Sequence, residues 1–565
     1  MSAAMKEPGQ WESGLANSMN VSPCRAVLFA STSLYALAIF IFLTGFLSVS
    51  ILDGFQRISK SAATGSVSEE AVEPHENSAR RDRIVTAGKD HLDKVVIFLI
   101  DALRLDFVTG NTSGLTLLHQ RLRDGSAKGF LARARTPTVT LPRLKALTTG
   151  AIPNFAEVIT NFGTHTSVKD NFVEQLDKAG LRTVFHGDDT WLRMFPKAFV
   201  RSEGVSSFYV NDYTEVDFNV TRNVHTELLR DDWDVMILHY LGLDHIGHLW
   251  GPHSTLVPQK LRYYDYILEE IFSYLRSFAG KSLLVVLGDH GMTDAGSHGG
   301  TSSSEIDTPM VFLSPQFSVT NDSRSQTGTE EVALPVIDQV DLASTISVLM
   351  DTPIPRDNIG VVILPVVAEM LNSSTATRRA VCSLANQLKT KLPHRLIHER
   401  LTISQKLHCE PNDYNQDIKM TEELLEICKE AAENLSAASS DYGMFSMLSA
   451  LVLLAILTAV FLHTFLQLWP SFFVECPNAV LLLTVFHVFS LCGSSFVEEE
   501  HQLWYYWVPL SYAVLLVQTL KSCPGYGNQA GRLGMMFVLH RVLREWNRTG
   551  DKWAHLPDVG DWIRQ

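Results

Sequence analysis

Basic residues are the first thing this chain is short of. Lys and Arg number 47 against 61 Asp and Glu, giving a net charge of −14 over 565 residues. No cationic surplus is available for binding phosphate backbones, so nucleic acid is excluded as a partner. Charge of either sign is scarce too: 19% of residues are charged and 46% hydrophobic, more apolar material than one soluble domain uses. The seven cysteines contain no CxxC spacing, which argues against a zinc finger or a dithiol redox motif. Cys382, Cys409 and Cys428 lie in a segment expected to be exported and are candidates for a disulfide, although the sequence leaves open which two would pair.

What is present begins with long apolar runs. Ala26 to Leu52 is 27 residues without a charge, long enough to cross a bilayer and followed by no clear small-residue cleavage site. We read it as an uncleaved signal anchor, with a cleaved signal peptide as the alternative. Met444 to Trp469, Ala479 to Val497 and Leu503 to Leu520 also lack Asp, Glu, Lys and Arg and are candidate spans. The tail beyond them carries Lys521, Arg532, Arg541, Arg544, Arg548, Lys552 and Arg564, so the positive-inside rule puts it on the cytosolic side with residues 53–443 opposite. Sequons at Asn111, Asn219, Asn321, Asn372 and Asn434 fall on that exported side; those at Asn20 and Asn547 do not. The expected organisation is therefore a cytosolic N-terminus (1–25), an anchor (26–52), a Ser- and Glu-rich stalk (53–91), a lumenal catalytic domain (92–364), a helical stem (365–443), three transmembrane helices (444–520) and a cytosolic tail (521–565).

Within residues 92–364, chemistry gathers at the ends of predicted strands. The run LLVVLG ends in Asp289 and His290, with His298 beyond a Gly-rich turn; VVIFLI ends in Asp101; VMILHY leads into LGLDHIGH, where Asp244 and His248 stand four apart and share one face. Open α/β sheets place their sites at the carboxyl ends of strands. In TPTVTLPRLKALTTG, Thr140 lies at or next to a helix N-terminus, where free N–H groups favour negative charge. Each signal alone has an ordinary reading as a satisfied turn or an N-cap. Together, three carboxylates, three imidazoles and one hydroxyl suit two adjacent zinc ions, one held by Asp244, His248 and His298, the other by Asp101, Asp289, His290 and the Thr140 oxygen. His186, Asp188 and Asp189, at another strand end, are candidates to line a substrate pocket, with a hydrogen-bonded loop as the alternative.

The ordered motifs VVIFLIDALR, PTVTLPRLKALTTG, DHIGHLWGP and GDHGMTDAGSHG resemble the alkaline phosphatase superfamily, in its nucleotide pyrophosphatase/phosphodiesterase-like branch with a threonine nucleophile. HYLGLDHIGH, DYTEVDFNVTR and SSFVEEEH resemble the GPI ethanolamine phosphate transferases more closely. The resemblance implies an α/β fold, an alkaline-phosphatase-like sheet with helices on both faces, plus transmembrane helices. It implies a multi-pass protein of the endoplasmic reticulum membrane with a lumenal site: Thr140 as nucleophile, Asp101, Thr140, Asp244, His248, Asp289, His290 and His298 around two divalent metal ions, zinc being expected. The implied reaction moves ethanolamine phosphate from phosphatidylethanolamine to a mannose of the GPI glycolipid, the second one being expected, and a small stabilising membrane subunit is an implied partner. The transferases carry many more spans than the four read here. Two other readings stay open, a membrane-anchored phosphodiesterase using water as acceptor and a non-catalytic partner within a transferase complex.

Overall fold

The computed structural model describes residues 23–46, 91–110, 114–152, 168, 170–207, 209–317, 334–392, 395–409, 418–439, 444–475, 508–517 and 527–543. The apolar runs that end in the candidate ligands are strands. β1 (Lys94–Ile100), β2 (Ala127–Arg133), β3 (Thr183–Asp188), β4 (Arg201–Val205), β5 (Val235–Tyr240), β6 (Ser282–Gly288), β7 (Asp307–Leu313) and β8 (Val336–Asp338) make one sheet in the order β4-β3-β5-β1-β6-β7-β2-β8. Neighbours from β4 to β6 pair in parallel, β7 runs against both β6 and β2, and β8 is parallel to β2. β5, β1 and β6 are buried at every position. A parallel strand covered on both faces has no polar side to show, which is why these segments read as unbroken apolar runs.

Alternation along β1 divides the interior. Val95, Ile97 and Leu99 join one apolar cluster, Val96, Phe98 and Ile100 the other. The first is covered by α1 (Thr140–Thr149) through Leu144 and Leu147. On the opposite face lies α2 (Glu215–Arg230), whose Val216, Val220, Val224 and Leu228 recur every fourth residue and so share one stripe. α3 (Gly242–Trp250) and α4 (Leu256–Ser277) complete that layer, and α5 (Asp341–Leu349) packs with α1 through Leu342, Ala343, Ile346 and Leu349. Each fully buried Leu, Val or Phe contributes about 1.5–3 kcal/mol over its exposed state. The expected α/β sheet with helices on both faces is what the chain forms.

The segment expected to form a stem is part of this core. In α6 (Ser374–Lys389), Val381, Leu384, Ala385 and Leu388 face inward; Leu401 of α7 (Arg395–His408) and Leu424, Leu425 and Cys428 of α8 (Ile418–Ser439) join the same cluster as β1. The exposed faces of these helices carry the polar residues that dominate their composition, while the stripe at i, i+3, i+4, i+7 seals one side of the sheet. Cys382 is bonded to Cys409, with Cα atoms 5.9 Å apart, and Cys428 is a buried free thiol.

The chain divides into two compact units, Met1–Ala79 with Ser440–Pro477, and Arg80–Ser439 with Asn478–Gln565. The first contains two helices, Pro23–Phe46 and Met444–Glu475, packed against each other. They coincide with the runs expected as the anchor and the first of the later spans. Among the described residues, however, no helix is long and apolar enough to cross a membrane. The side chains of residues 23–32, 45–46 and 461–475, along with residues 47–52, 476–507 and 518–520, lie outside the described ones, so the span expected at 479–497 falls wholly outside them and the other three are represented in part.

Candidate active site

Each ligand candidate is delivered by the end of a strand or by the helix that follows it. β1 ends at Ile100, and Asp101 turns inward, its N–H donating to the Tyr240 carbonyl at 2.9 Å. β6 ends at Gly288, where a Cβ would meet the Leu103 carbonyl oxygen at 2.8 Å. Glycine therefore lets the two strand ends close on each other. Asp289 Oδ1 then accepts the N–H groups of Ala102 (3.2 Å) and His290 (2.9 Å), leaving Oδ2 directed into the site. Thr140 is the first residue of α1, after Val139 in extended backbone, so its hydroxyl stands at the helix N-terminus as expected.

Four of the predicted residues converge. Thr140 Oγ1 lies 3.4 Å from both Asp101 Oδ2 and His290 Nε2, and His290 Nε2 is 3.4 Å from Asp101 Oδ1 and 3.3 Å from Asp289 Oδ2. His290 Nδ1 is 3.0 Å from the Gly291 carbonyl, which accepts its proton and leaves the Nε2 lone pair facing the carboxylates. The other three converge alongside. Asp244 and His248, on one face of α3, put Oδ2 and Nε2 3.4 Å apart, and His298 Nε2 is 3.6 Å from Asp244 Oδ1. The His298 Nδ1 proton goes to the Thr138 carbonyl at 2.9 Å, so its Nε2 lone pair also points inward. The rings of His290 and His298 stack with centroids 4.0 Å apart, so the two groups are adjacent.

This donor set fits cations. Asp244, His248 and His298, and separately Asp101, Asp289 and His290, bring their ligand atoms within 4.8 Å of one another. His248 Nε2 and His298 Nε2 stand 3.2 Å apart, and with the His298 proton on Nδ1 a cation between them is a natural occupant. Asp101 Oδ1, Asp244 Oδ1 and Asp289 Oδ2 are buried with no hydrogen-bond partner among the described residues, a costly arrangement unless positive charge is supplied. Burial raises Asp101 well above the usual carboxylate range, reinforced by Asp244 and Asp188, and it raises Asp289 likewise, with Asp101 adding to it. Burial also tends to raise Asp244, but His248 and His298 together hold it below the ordinary value. His290 is pushed well down, first by burial and then by His298.

The pocket candidates separate. Asp188 is buried, and its Oδ1 accepts the Thr190 N–H at 2.9 Å; its charge bears on Asp101 and His239. Asp189 pairs with Arg193 at 2.8 Å, and burial beside Asp188 raises it to about 6. His186 faces Glu227 of α2 at 3.7 Å, in the register of Glu203 on β4. Only Asp188 is thus tied to the Thr140 group, through its effect on Asp101.

Several supporting residues were not visible beforehand. Arg143, fully buried one turn along α1, donates through Nε (2.8 Å) and Nη2 (2.5 Å) to Gln339 Oε1 and through Nη1 to the Arg135 carbonyl (2.6 Å). Gln339 Nε2 donates in turn to the carbonyls of Gly288 (2.8 Å) and Asp289 (2.6 Å). The helix bearing Thr140 is thereby bolted to the turn bearing Asp289 and His290. Asp217, in the stretch DYTEVDFNVTR, accepts the N–H groups of Leu241 and Gly242 at 3.0 and 2.9 Å, capping the start of α3, and also takes Lys260 Nζ at 2.9 Å and Tyr264 OH at 2.8 Å. Arg143 had a faint signal, a cation in an otherwise apolar helix face; Gln339 had none.

Residues 95–305 match the family model described as type I phosphodiesterase / nucleotide pyrophosphatase, and residues 439–563 match that of the GPI ethanolamine phosphate transferase membrane region. GPI ethanolamine phosphate transferase 2 of Schizosaccharomyces pombe is 37% identical over 486 residues, covering 83% of this chain and 61% of that protein. The human protein named GPI ethanolamine phosphate transferase 2, catalytic subunit, is 30% identical over 687 residues, covering 93% and 68%. Among solved structures, the soluble domain of lipooligosaccharide phosphoethanolamine transferase A from Neisseria meningitidis aligns with 50% of this chain and 93% of that domain at 16% identity and a TM-score of 0.37. The chain spans 61% of the length of the S. pombe relative. With 37% identity to one such protein and 30% to another of which it covers 68%, the chain belongs to the GPI ethanolamine phosphate transferase 2 family.

Proposed function

We propose that the protein transfers ethanolamine phosphate from phosphatidylethanolamine to the second mannose of the GPI glycolipid, through an intermediate on Thr140. The observation that carries this reading is the placement of Thr140 Oγ1 at 3.4 Å from both Asp101 Oδ2 and His290 Nε2, at the N-terminus of a helix. The names of the S. pombe and human relatives supply the donor group and the class of acceptor.

Asp101, Asp289, His290 and the Thr140 oxygen would hold one divalent ion, and Asp244, His248 and His298 a second, zinc being the expected metal from the mixed imidazole and carboxylate donors. Such ions supply Lewis acidity that favours the ionised threonine oxygen and neutralises charge on the transferring phosphoryl group. The protein's own groups do the rest. Asp101 Oδ2 accepts the Thr140 hydrogen bond and orients the oxygen; the free N–H groups of α1 favour negative charge beside it. Thr140 Oγ1 bonds to phosphorus as the bond to the diacylglycerol oxygen breaks, and diacylglycerol leaves carrying the proton. A mannose hydroxyl then attacks the same phosphorus, the bond to Thr140 breaks, and the threonine hydroxyl is restored.

The same reading has the protein in the endoplasmic reticulum membrane with residues 53–443 in the lumen. The Cys382–Cys409 disulfide supports an oxidising compartment, and the match of residues 439–563 to a membrane region supports anchorage beside two lipid substrates. Membranes from cells lacking the transferase, supplied with this chain, ethanolamine-labelled phosphatidylethanolamine and a GPI intermediate bearing its mannoses, should yield label on the glycolipid. Label found solely as free ethanolamine phosphate would instead establish the phosphodiesterase reading, which the match over residues 95–305 favours.

A further inference from the structure

His239 lies within the apolar run of β5, and its surroundings set it apart from its neighbours. It lies on β5 opposite Leu99 of β1 and is completely buried. The residue is held from both sides. Gly187 of β3 passes so close that a Cβ there would meet the His239 carbonyl oxygen at 2.5 Å and its Cβ at 2.7 Å. From the other side Trp191 Nε1 is 3.2 Å from His239 Nδ1. An indole nitrogen can only donate, so Nδ1 is the acceptor and the ring proton of the neutral imidazole is on Nε2. That Nε2 has no hydrogen-bond partner among the described residues, and it lies 3.5 Å from Asp101 Oδ2, the oxygen that accepts from Thr140 Oγ1. The other Asp101 oxygen is 3.4 Å from His290 Nε2.

We propose that His239 is a positioning residue for the transfer reaction: Trp191 fixes the tautomer of His239, and His239 Nε2–H in turn fixes the rotation of the Asp101 carboxylate beneath Thr140. A carboxylate is two-fold symmetric about its terminal torsion and swings at low cost. Held by Ala102 and His290 amides, Asp289 has such a restraint; Asp101 has the Thr140 hydroxyl and, at 3.5 Å, the otherwise partnerless Nε2 of His239. Loss of His239 leaves Oδ2 with a single, movable partner, and the alignment of Thr140 with the ligand group on β6 goes with it. The inference rests on Thr140 being the nucleophile.

The test uses the full chain purified in detergent, with three readouts: protein-bound label from ethanolamine-labelled phosphatidylethanolamine, zinc affinity by competition with a chromogenic chelator using Zn2+ alone, and thermal unfolding midpoint. His239→Phe fills the space without a donor, whereas the amide of His239→Gln reaches the position of Nε2 and His239→Asn reaches that of Nδ1. Outer-shell partners of this kind alter metal affinity or rate by about 10- to 100-fold. We expect His239→Phe and His239→Asn to lose that much in labelling rate and in affinity for one of two zinc ions, with little change in KM for the lipid, and His239→Gln to recover most of both. Trp191→Phe should fall between. Equal labelling and zinc affinity in His239→Gln and His239→Phe, whether both normal or both reduced with a matching fall in midpoint, would overturn the proposal by showing packing alone. Thr140→Ala run in parallel separates the two assignments: labelling retained in that variant removes the nucleophile reading, while the zinc-affinity order of the His239 series stands on its own.

Discussion

Replacing Gln339 with leucine isolates the bolt between α1 and the Asp289 turn. Leucine is close in volume but can neither accept from Arg143 nor donate to the carbonyls of Gly288 and Asp289, so three partners lose a bond. Arg143 is fully buried, with a neutral amide oxygen and one carbonyl as its acceptors. Desolvation lowers its affinity for the proton to a value of about 10, against the opposing charges of Asp289 and Asp338, so the buried cation has little margin for losing an acceptor. Leaving a buried charge short of partners costs about 3–5 kcal/mol, and each orphaned carbonyl adds roughly 1–3 kcal/mol before water enters. Gln339→Leu should therefore destabilise the domain by at least about 5 kcal/mol on these grounds. Removing the cation as well, in Arg143→Met with Gln339→Leu, should return part of that loss, because an apolar pair of similar volume carries no unpaired charge. Urea unfolding followed by the fluorescence of the buried Trp191 and Trp233 measures the cycle. The phosphoryl-transfer rate supplies the second axis, since a shift of about 1 Å between Thr140 and His290 is enough for a hundredfold loss. Strictly additive stabilities, or a Gln339→Leu protein as stable and fast as wild type, would refute the reasoning.

Chelation should lower the thermal midpoint of the wild-type chain, because an ion at a hundred times its Kd stabilises by about 2.7 kcal/mol; the same midpoint with chelator and with added zinc would count against the ligand assignment. Asp217→Asn removes the charge facing Lys260 while keeping the shape, and a loss of about 3–5 kcal/mol is expected in urea unfolding, relieved in part by Lys260→Met. Cys382→Ser with Cys409→Ser opens a linkage between positions 27 apart; loop-closure entropy puts the loss near 3.5 kcal/mol, read as a lower unfolding midpoint and earlier proteolysis between α6 and α8.

How much of this was legible from the chain follows from where each signal resides. Asp101, Asp289 and His290 stand at the point where an apolar run stops, and a ligand at a strand end is visible in one line of sequence. Asp244 and His248 were visible because a helical spacing puts them together. Arg143, Gln339, Thr138 and His239 act through partners far along the chain, and nothing local distinguishes a buried His that orients a carboxylate from one that fills space. The packing of the expected stem, 365–443, was hidden for a related reason: its charges dominate the composition, while the stripe of Val381, Leu384, Ala385 and Leu388 shows only once the residues are wound onto a helix. Cys382 and Cys409 likewise needed the turn between α6 and α7 to be known before their pairing could be named.

That last trio of helices decides where a water-soluble version of the protein can be cut. Ending it at residue 364, where the strand-end motifs are already complete, would strip Leu384, Leu388, Leu401, Leu424 and Leu425 from the sheet they cover and offer a sticky slab to every neighbouring molecule. A secreted fragment meant for crystallisation or inhibitor screening must run through Ser439, and it must be made where thiols can oxidise.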